Sequence, residues 1–266
     1  MMKRILSHLH RLRLYLHTVP KGIPARIGVF LLPAIIIIFL AATSPTSYGS
    51  NYKAITAFHE PTADELIALE ADSLYTQMQL AQSGLQFQAF LLAFKGYQKM
   101  LDLGMIAKRG LLSIADFSLP STAQRFFVVD MQHGKLLFKT WVAHGRNSGR
   151  TYATDFSNQP ASFKSSLGFY LTLQPYYGDK GYALKLLGIE AGINDNAFER
   201  AIVIHGADYV NEKIAATQGY LGRSLGCPAL PMQLNKKVIN TIREGSCFFI
   251  YHPNTTYLSN SKLLNS

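Results

Sequence analysis

The chain has little of several residue types that define whole classes of proteins. It contains two cysteines, Cys227 and Cys247, and one tryptophan among 266 residues. Two cysteines are too few for a scaffold built on disulfides. No C-x-x-C or H-E-x-x-H pattern is present, so we predict no metal site and no cofactor. The sequence also has no internal repeats and no low-complexity tract, which excludes solenoid and fibrous architectures.

Acidic residues are scarce as well. There are 16 Asp and Glu residues against 26 Lys and Arg, which gives a formal net charge of +10. Six of the basic residues lie within residues 1–26, where there is no acid, so the rest of the chain carries +4. A nucleic-acid-binding surface needs Lys and Arg clustered on one face. We therefore predict no nucleic-acid partner, and the small excess is compatible with an anionic polymer as substrate.

The N-terminal region indicates export from the cytoplasm. Residues 27–42 are nearly all apolar, follow a basic stretch and precede small and polar residues. This order is typical of a secretory signal. The apolar run lies between the length of a signal core and that of a spanning helix of about 20 residues, so cleavage and retention as an inner-membrane anchor both stay open. In either case we expect a periplasmic or exported location from about residue 50 onward.

The next part of the chain predicts helices. Apolar residues recur with helical spacing from Thr62 to about Leu103, and Gly84 divides this stretch into two helices. Thr62 followed by Glu65 is a capping-box pattern, in which each side chain bonds the other residue's backbone N–H. The aromatic residues of this segment are expected to fill a core, because they lie on one apolar stripe.

The pattern changes to strands after Gly110. Short runs rich in Val, Phe, Tyr and Leu alternate with Gly, Asn, Ser and Pro clusters. The predicted strands cover residues 125–130, 135–143, 167–173, 182–187, 201–205 and 247–251. A further helix is predicted over 233–243, with Gly245 after its end. Residues 194–196, Asn-Asp-Asn, predict a turn rather than a calcium loop.

A histidine and a cysteine suggest nucleophilic chemistry. His205 ends an apolar strand-like run, and Cys227 lies in a turn flanked by Gly222 and Gly226. A thiol attacks as its thiolate, and a nearby imidazole is the usual means of forming one near neutral pH. A lone cysteine is more often a small buried apolar residue. Here G-x-S-x-G precedes the sulfur and P-A-x-P follows it, a costly turn unless a substrate comes close.

The second cysteine leaves one alternative open. A disulfide between Cys227 and Cys247 would abolish a thiolate nucleophile, and an exported protein is in a compartment that favours disulfides. Cys247, however, opens the apolar run C-F-F-I-Y, where a cysteine fills a core well. We therefore predict that both thiols are free.

Several segments together resemble one known family. His205-Gly206 precedes S-L-G-C-P-A at 224–229, and the other matching segments lie at 118–121, 127–130, 142–149, 156–162, 165–170, 192–197 and 247–251. They resemble the L,D-transpeptidase (YkuD-type) catalytic domain, in particular the murein L,D-transpeptidase branch with a G-x-S-x-G-C-P-A motif. The resemblance covers roughly residues 110–253 and, more weakly, 60–105.

The resemblance implies a fold and a domain organisation. We expect a mainly β catalytic domain, a YkuD-like β-sandwich or barrel with one or two short helices, preceded by a small helical segment. The expected parts are a basic N-terminus with signal peptide or anchor (1–49), a linker and helical segment (50–108), the catalytic domain (109–254) and a C-terminal tail (255–266).

The resemblance also implies a reaction on the bacterial cell wall. Cys227 would form a thioester with a peptidoglycan donor stem peptide, and the amine of an acceptor stem would resolve it. His205 would be the base, with one ring nitrogen held by the Gly206 carbonyl. The amides of Gly226 and Cys227 are natural oxyanion donors. Ser224 would either donate to the oxyanion or close the turn.

Two positions depart from the common family signature. Its second histidine is Leu225 here, and the arginine after its cysteine is Ala229. We expect Arg223, Arg146 or Arg150 to supply the missing positive charge, since a guanidinium binds carboxylates in a bidentate fork. His144 is a second histidine before a glycine and a competing base or cleft residue. The candidate substrate-binding residues are Arg223, His144, Arg146, Asn158 and Ser166.

Three functions remain open at this point. The first is an envelope transpeptidase that cross-links peptidoglycan stems or attaches a protein to them. The second is an L,D-carboxypeptidase or endopeptidase that uses the same cysteine and histidine with water as acceptor. The third is a non-catalytic peptidoglycan-binding module in which the cysteine is oxidised or buried.

Overall fold

The computed structural model describes residues 60–265, so the predicted signal or membrane anchor over 27–42 lies outside the described residues. Three helices come first: α1 (Ala63–Gln77), α2 (Leu80–Ser83) and α3 (Phe87–Asp102). The Thr62 N–H donates to the Glu65 carboxylate at 2.7 Å, and the Glu65 N–H donates to Thr62 Oγ1 at 3.3 Å. The predicted capping box is therefore confirmed. Gly84, with φ of 82°, ends α2 where the sequence predicted a break.

The rest of the described chain is built on one eight-stranded sheet. Its strands are β1 (Leu111–Asp116), β2 (Phe126–Asp130), β3 (Lys135–Thr140), β4 (Gly168–Gly178), β5 (Gly181–Gly188), β6 (Val203–Ala207), β7 (Ala229–Pro231) and β8 (Cys247–Tyr251). The order across the sheet is β3-β2-β1-β8-β4-β5-β6-β7. The β1–β8 and β6–β7 pairs are parallel and the other pairs are antiparallel. The predicted mainly β fold with a preceding helical segment is confirmed.

Three shorter helices lie between and after the strands: α4 (Glu212–Gln218), α5 (Met232–Ile242) and α6 (Thr255–Asn260). The helix predicted over 233–243 is α5, whose Val238, Ile239 and Ile242 are buried. No helix within residues 60–265 has the length and apolar character needed to cross a membrane.

The N-terminal helices share the core of the sheet. Helix α3 buries Phe90, Phe94 and Met100 against it. A Cβ at Gly96 would lie 2.0 Å from Phe169 Cζ, so the absent side chain lets the helix approach β4. Cys247 is fully buried with a free thiol, and its Sγ lies 3.7 Å from Met100 Sδ. The prediction that Cys247 is a core residue is confirmed.

The C-terminal residues differ from the expected tail. Residues 255–260 form α6, and Leu263 and Leu264 are buried in the main core. The buried Glu190 carboxylate accepts hydrogen bonds from the Tyr257 and Ser261 hydroxyls and from the Phe169 N–H. A helix this short shows no apolar periodicity in sequence, so only its tertiary contacts reveal it. The compact domain therefore continues to the end of the described residues.

Candidate active site

His205 lies in the middle of β6, between β5 and β7. It pairs with Ala183 on one side and Ala229 on the other, and its side chain is buried. The structure contains the predicted hydrogen bond to Gly206, with Nδ1 2.9 Å from the carbonyl oxygen. Because a carbonyl only accepts, Nδ1 carries the proton and Nε2 presents a lone pair. Burial lowers the pKa of His205 and nearby Lys180 lowers it further, against the effect of the Gly206 bond.

Cys227 lies beside the start of the same strand. Ala229 is opposite His205, so the parallel register places Cys227, two residues earlier, level with Val203. Its Sγ donates to the Ala201 carbonyl at 3.7 Å and accepts a backbone hydrogen bond from Val203. The thiol is free and partly buried. The fold thus places Cys227 two residues before Ala229, the residue that pairs with His205 at the β6–β7 edge of the sheet.

Two opposing effects act on the pKa of Cys227. Burial of the sulfur raises it, whereas the Val203 backbone and the positive charges of Arg200 and Lys180 lower it. A thiol under this balance keeps its proton until a base removes it. This property suits a nucleophile that is activated by a neighbouring imidazole at the moment of reaction.

Ser224 closes the turn that carries the sulfur. Its Oγ accepts from the Gly226 N–H at 3.1 Å and donates to the Cys227 carbonyl at 2.6 Å. Of the two roles considered for Ser224, the structure supports turn closure, since its hydroxyl proton is engaged. The Gly226 amide is engaged as well, which corrects its prediction as an oxyanion donor. The Cys227 N–H has no hydrogen-bond partner among the described residues and remains available.

Gly226 itself is required by the turn. Its φ of 123° is a backbone conformation that side chains disfavour. A Cβ there would lie 2.9 Å from the Lys164 carbonyl oxygen and 3.3 Å from Arg200 Nη2. The glycine therefore allows the turn to pack against the neighbouring loop.

His144 is neither a base nor a cleft residue, and this prediction was wrong. Its side chain is fully buried, Nδ1 accepts from Arg125 Nη2 at 2.7 Å, and Nε2 donates to the Gly149 carbonyl at 3.3 Å. Burial and the adjacent guanidinium lower the pKa of His144 to about 3. Both ring nitrogens are engaged, so the imidazole is a neutral structural group.

The three arginines proposed to replace the family's arginine lie elsewhere. Arg223 is exposed and donates to the Arg146 carbonyl at 3.3 Å. Arg146 stacks on the Phe163 ring at 4.2 Å, and Arg150 stacks on the Tyr220 ring at 4.5 Å. None of the three contributes to the electrostatic environment of Cys227.

Asn158 and Ser166, also predicted to bind substrate, hold neighbouring loops together. Asn158 Nδ2 donates to Asp195 Oδ1 at 2.7 Å, and its Oδ1 accepts from the Asn196 N–H at 3.2 Å. Ser166 is buried, and its Oγ accepts from Arg200 Nη1 at 2.7 Å. The structure therefore gives both residues structural contacts.

Arg200 is one of two cations whose charge acts on the sulfur, and sequence reasoning missed it. Its Nη1 donates to the Ser157 carbonyl at 2.7 Å and to Ser166 Oγ. Its Nη2 donates to Ser162 Oγ at 3.3 Å and to the Lys164 carbonyl at 2.6 Å. The four Nη hydrogens are thus used within the protein. Arg200 positions the loop over residues 157–166 and places a positive charge near Cys227, and it has little capacity left to bind a substrate carboxylate.

Two clefts are lined by residues close to Cys227, although neither Cys227 nor His205 lines them. The first, of about 230 Å³, is lined by Tyr176, Lys185, Leu186, Phe198, Ala201, Ile202 and Val203, and we call it the lysine cleft. The second, of about 320 Å³, is lined by Pro160, Ala161, Phe163, Glu199, Arg200 and Leu225, and we call it the glutamate cleft. Residues 60–265 contain no group of three or more His, Cys, Asp or Glu side chains placed to hold a metal ion.

The described residues define a mainly β protein with a partly buried free thiol at Cys227 and a histidine, His205, whose Nδ1 is fixed by a carbonyl. The family model of the L,D-transpeptidase catalytic domain matches residues 81–251. The chain therefore belongs to this family, as the sequence resemblance predicted.

Solved structures of similar proteins include three with low sequence identity. An L,D-transpeptidase from Mycobacterium smegmatis is 14% identical, with 54% of this chain and 59% of that one covered and a TM-score of 0.35. A mutant L,D-transpeptidase from Enterococcus faecium is 11% identical, with 54% and 50% covered and a TM-score of 0.33. A mutant of the helical cell shape determining protein from Campylobacter jejuni is 14% identical, with 59% and 56% covered and a TM-score of 0.35.

The matched region spans less than two thirds of each of these three proteins. A comparison with curated proteins gave no match.

Replacing Arg200 with glutamine is expected to make the Cys227 thiol less reactive. Arg200 lowers the pKa of this thiol, so loss of its charge raises that pKa and reduces the thiolate fraction at a given pH. We expect alkylation by iodoacetamide at pH 8 to slow by roughly threefold or more. The rate is measured from pH 6 to 10 by mass spectrometry.

Arg200→Lys is the matched control, because it keeps the charge and loses the planar fork. The Cys227 thiol of Arg200→Lys should be alkylated faster than that of Arg200→Gln at every pH at which the thiol is not yet fully deprotonated. Equal profiles for the two variants would show that the loop contacts, and not the charge, set the reactivity of the thiol.

His144→Gln is expected to change how stability depends on pH. Native His144 stays neutral, whereas in the unfolded chain it takes up a proton below its ordinary pKa of 6.5. The unfolded state then binds more protons, so the His144 contribution to stability falls as pH decreases from about 6.5 towards 3. Glutamine does not titrate, and its oxygen can still accept from Arg125.

The stability advantage of the wild type over this variant should therefore shrink at low pH, by at most about 1.4 kcal/mol per pH unit. Urea denaturation of both proteins at pH 7.0, 5.5 and 4.5 measures the difference. A difference that is constant across this range would mean that His144 takes up its proton with the same pKa in the native and unfolded states.

Proposed function

We propose that this protein is a cell-wall L,D-transpeptidase that works through a thioester on Cys227. The observation that supports the proposal is the pairing of β6 with β7, in which Ala229, two residues after the free thiol of Cys227, lies opposite His205 in a chain of this family. The Gly206 carbonyl fixes the imidazole with its basic nitrogen free. The substrates are the donor and acceptor stem peptides of peptidoglycan. Acting on these stems requires a bacterial envelope location, periplasmic or exported, with the segment over 27–42 as a cleaved signal or an inner-membrane anchor.

The first half-reaction is acylation of Cys227. His205 Nε2 takes the thiol proton as the sulfur attacks the carbonyl carbon of the donor stem. The Cys227 N–H donates to the developing oxyanion. The C–N bond to the terminal D-amino acid then breaks, and His205 returns the proton to the leaving amine. The product is a thioester between Cys227 and the shortened donor stem.

The second half-reaction transfers the acyl group. An amine of the acceptor stem attacks the thioester carbon while His205 accepts a proton from it. The C–N bond forms and the C–S bond breaks, which leaves a cross-linked product and the thiol ready for another cycle. Water in place of the amine gives the hydrolytic reaction instead, so access of the amine determines which product is formed.

Mass spectrometry of tetrapeptide muropeptides incubated with the purified full-length protein tests this function. We expect cross-linked dimers and a protein mass increased by the acyl group, and neither should appear with Cys227→Ala. Shortened monomers alone, dependent on Cys227, would replace the transpeptidase with a hydrolase. No product and no adduct, with wall binding intact in Cys227→Ser, would identify a non-catalytic binding module.

A further inference from the structure

The two clefts contain opposite charges, Lys185 in one and Glu199 in the other, and neither charge forms an ion pair within residues 60–265. The lysine cleft includes Ala201 and Val203, the two residues whose backbone groups contact Sγ. The glutamate cleft includes Arg200, whose charge acts on Cys227, and Leu225, which precedes Cys227 by two residues in the chain. A substrate whose carbonyl lies at Cys227 can therefore extend towards the lysine cleft or towards the glutamate cleft.

The sheet register fixes the position of Lys185 in the lysine cleft. In the antiparallel pairing of β5 with β6, Lys185 lies opposite Val203 and Ala183 lies opposite His205. Residues two positions apart on a strand share a face, so Lys185 and His205 belong to one face of the sheet. The Lys185 ammonium lies 5.3 Å from the centre of the Tyr176 ring and forms no ion pair within residues 60–265.

Lys180 strengthens the positive character of this side. It is an exposed residue in the turn between β4 and β5, and its charge affects both His205 and Cys227. The lysine cleft therefore attracts an anionic group to the His205 side of the sulfur.

Glu199 gives the second cleft the opposite character. The cleft is otherwise apolar, through Pro160, Phe163 and Leu225, except for Arg200. The Nη groups of Arg200 are fully engaged by the loop, and it makes no ion pair with Glu199. Glu199 is exposed and, within the described residues, has neither a hydrogen bond nor an ion pair. Its carboxylate is thus the free charged group of an apolar cleft.

The two substrates of the proposed reaction differ in charge in a corresponding way. The donor stem ends in a D-amino acid with a free carboxylate, one residue beyond the carbonyl under attack. The acceptor stem brings a side-chain amine that is an ammonium ion at neutral pH. We propose that Lys185 binds the terminal carboxylate of the donor and that Glu199 binds the ammonium group of the acceptor. This inference rests on the proposed function and assigns the two substrates to opposite sides of Cys227.

The transfer step balances with this arrangement. The ammonium group held near Glu199 loses one proton to His205 Nε2 and then attacks the thioester carbon. The C–N bond forms, the C–S bond breaks, the second proton from nitrogen returns the Cys227 thiolate to the thiol, and His205 releases its proton to solvent. Glu199 raises the local concentration of the acceptor and takes no part in bond making, so it is a specificity residue.

Separate measurements of the two half-reactions test the assignment. Thioester formation is followed by intact-protein mass spectrometry with donor stem alone, and the ratio of cross-linked to hydrolysed product is measured with acceptor at subsaturating concentration. We expect Lys185→Gln to reduce kcat/KM for thioester formation about tenfold, because a charged hydrogen bond is lost. We expect Glu199→Gln to reduce the ratio of cross-linked to hydrolysed product about tenfold, and Glu199→Lys to reduce it further.

Lys236→Gln and Glu70→Gln are charge-matched controls, since both residues are exposed and line neither cleft. The assignment is overturned if Glu199→Gln behaves like Glu70→Gln in the product ratio, or if Lys185→Gln behaves like Lys236→Gln in acylation. It is also overturned if Lys185→Gln lowers the ratio of cross-linked to hydrolysed product, or if Glu199→Gln slows thioester formation. A wild-type protein that forms no thioester would instead overturn the proposed function, and this inference with it.

Discussion

Replacement of His205 with asparagine is expected to slow thioester formation about 10²- to 10⁴-fold at pH 7. The thiol of Cys227 keeps its proton because burial raises its pKa, so attack depends on a base within reach. In the proposed mechanism His205 Nε2 is that base, since the Gly206 carbonyl holds the proton on Nδ1. Asparagine has no lone pair of comparable basicity. The rate is measured by intact-protein mass spectrometry with a donor stem peptide in excess.

The pH profile distinguishes loss of the base from loss of structure. Burial and Lys180 lower the pKa of His205, so we expect the wild-type imidazole to stay neutral, and thioester formation to continue, at a lower pH than an ordinary histidine would allow. The rate of His205→Asn should instead rise steadily with pH as hydroxide forms the thiolate. The difference between the two proteins should therefore be smallest at high pH. A merely misfolded variant would lose activity by a similar factor at every pH.

His133→Asn is a suitable control for this experiment. His133 is exposed in the turn after β2, where its ring pairs with Asp130 at 2.8 Å, and it lines neither cleft. We expect it to retain the wild-type rate. Retention of the wild-type rate by His205→Asn as well would show that another group deprotonates Cys227, and the proposed mechanism would need a different base.

The sequence predicted those features of the fold that depend on local pattern. Alternating and continuous apolar runs predicted the bounds of strands β2 to β6 and β8 to within a few residues. The helical pattern predicted the bounds of α5 to within one residue. Strand β1 was missed. Its run, L-L-S-I-A-D, contains Ser113 and Asp116, and it pairs in parallel with a strand more than 130 residues later. Strand β7 has three residues, too few for any periodicity.

In the candidate site too, the sequence predicted what depends on local pattern and missed what depends on distant contacts. His205, Gly206 and Cys227 are marked by strand and turn chemistry close to them in sequence. Arg200 is not, because the groups that hold it lie 34 to 43 residues away and two of them are main-chain carbonyls. For His144 the local sequence was misleading, since it suggested a functional residue where the structure has a buried structural one. Like His205 it ends an apolar run and precedes glycine, and only the buried Arg125 behind it reveals a structural role.

Replacement of Arg125 with methionine is expected to cost about 3–5 kcal/mol of unfolding free energy. Arg125 is fully buried, its guanidinium lies 4.6 Å from the centre of the Phe117 ring, and burial lowers its pKa to about 9. It donates to the Leu119 and Val142 carbonyls. Its charge also stabilises the buried carboxylate of Asp116. Methionine fills the space and leaves these groups without their donor and counter-charge. Urea denaturation measures the loss.

A second substitution separates the charge from the hydrogen bonds. Asp116 Oδ2 is buried without a hydrogen-bond partner, and burial raises the pKa of this carboxyl group. Asp116→Asn removes the charge that Arg125 compensates. The double variant Asp116→Asn, Arg125→Met should therefore be more stable than Arg125→Met alone, by on the order of 1–3 kcal/mol. Strictly additive losses would contradict an electrostatic link between the two residues.

We expect the substitution of Arg125 to affect Cys227 as well, because the segment to which Arg125 is hydrogen-bonded supports the turn that carries the sulfur. Arg125 bonds Val142 and His144, and Ala143 between them exchanges backbone hydrogen bonds with Ala229 at 2.9 and 3.3 Å. The His144 carbonyl accepts the Ser224 N–H at 3.0 Å. We expect folded Arg125→Met to show slower thioester formation even at a temperature where it is fully native by circular dichroism. Wild-type kinetics in that folded variant would show that the turn around Cys227 holds its shape without this support.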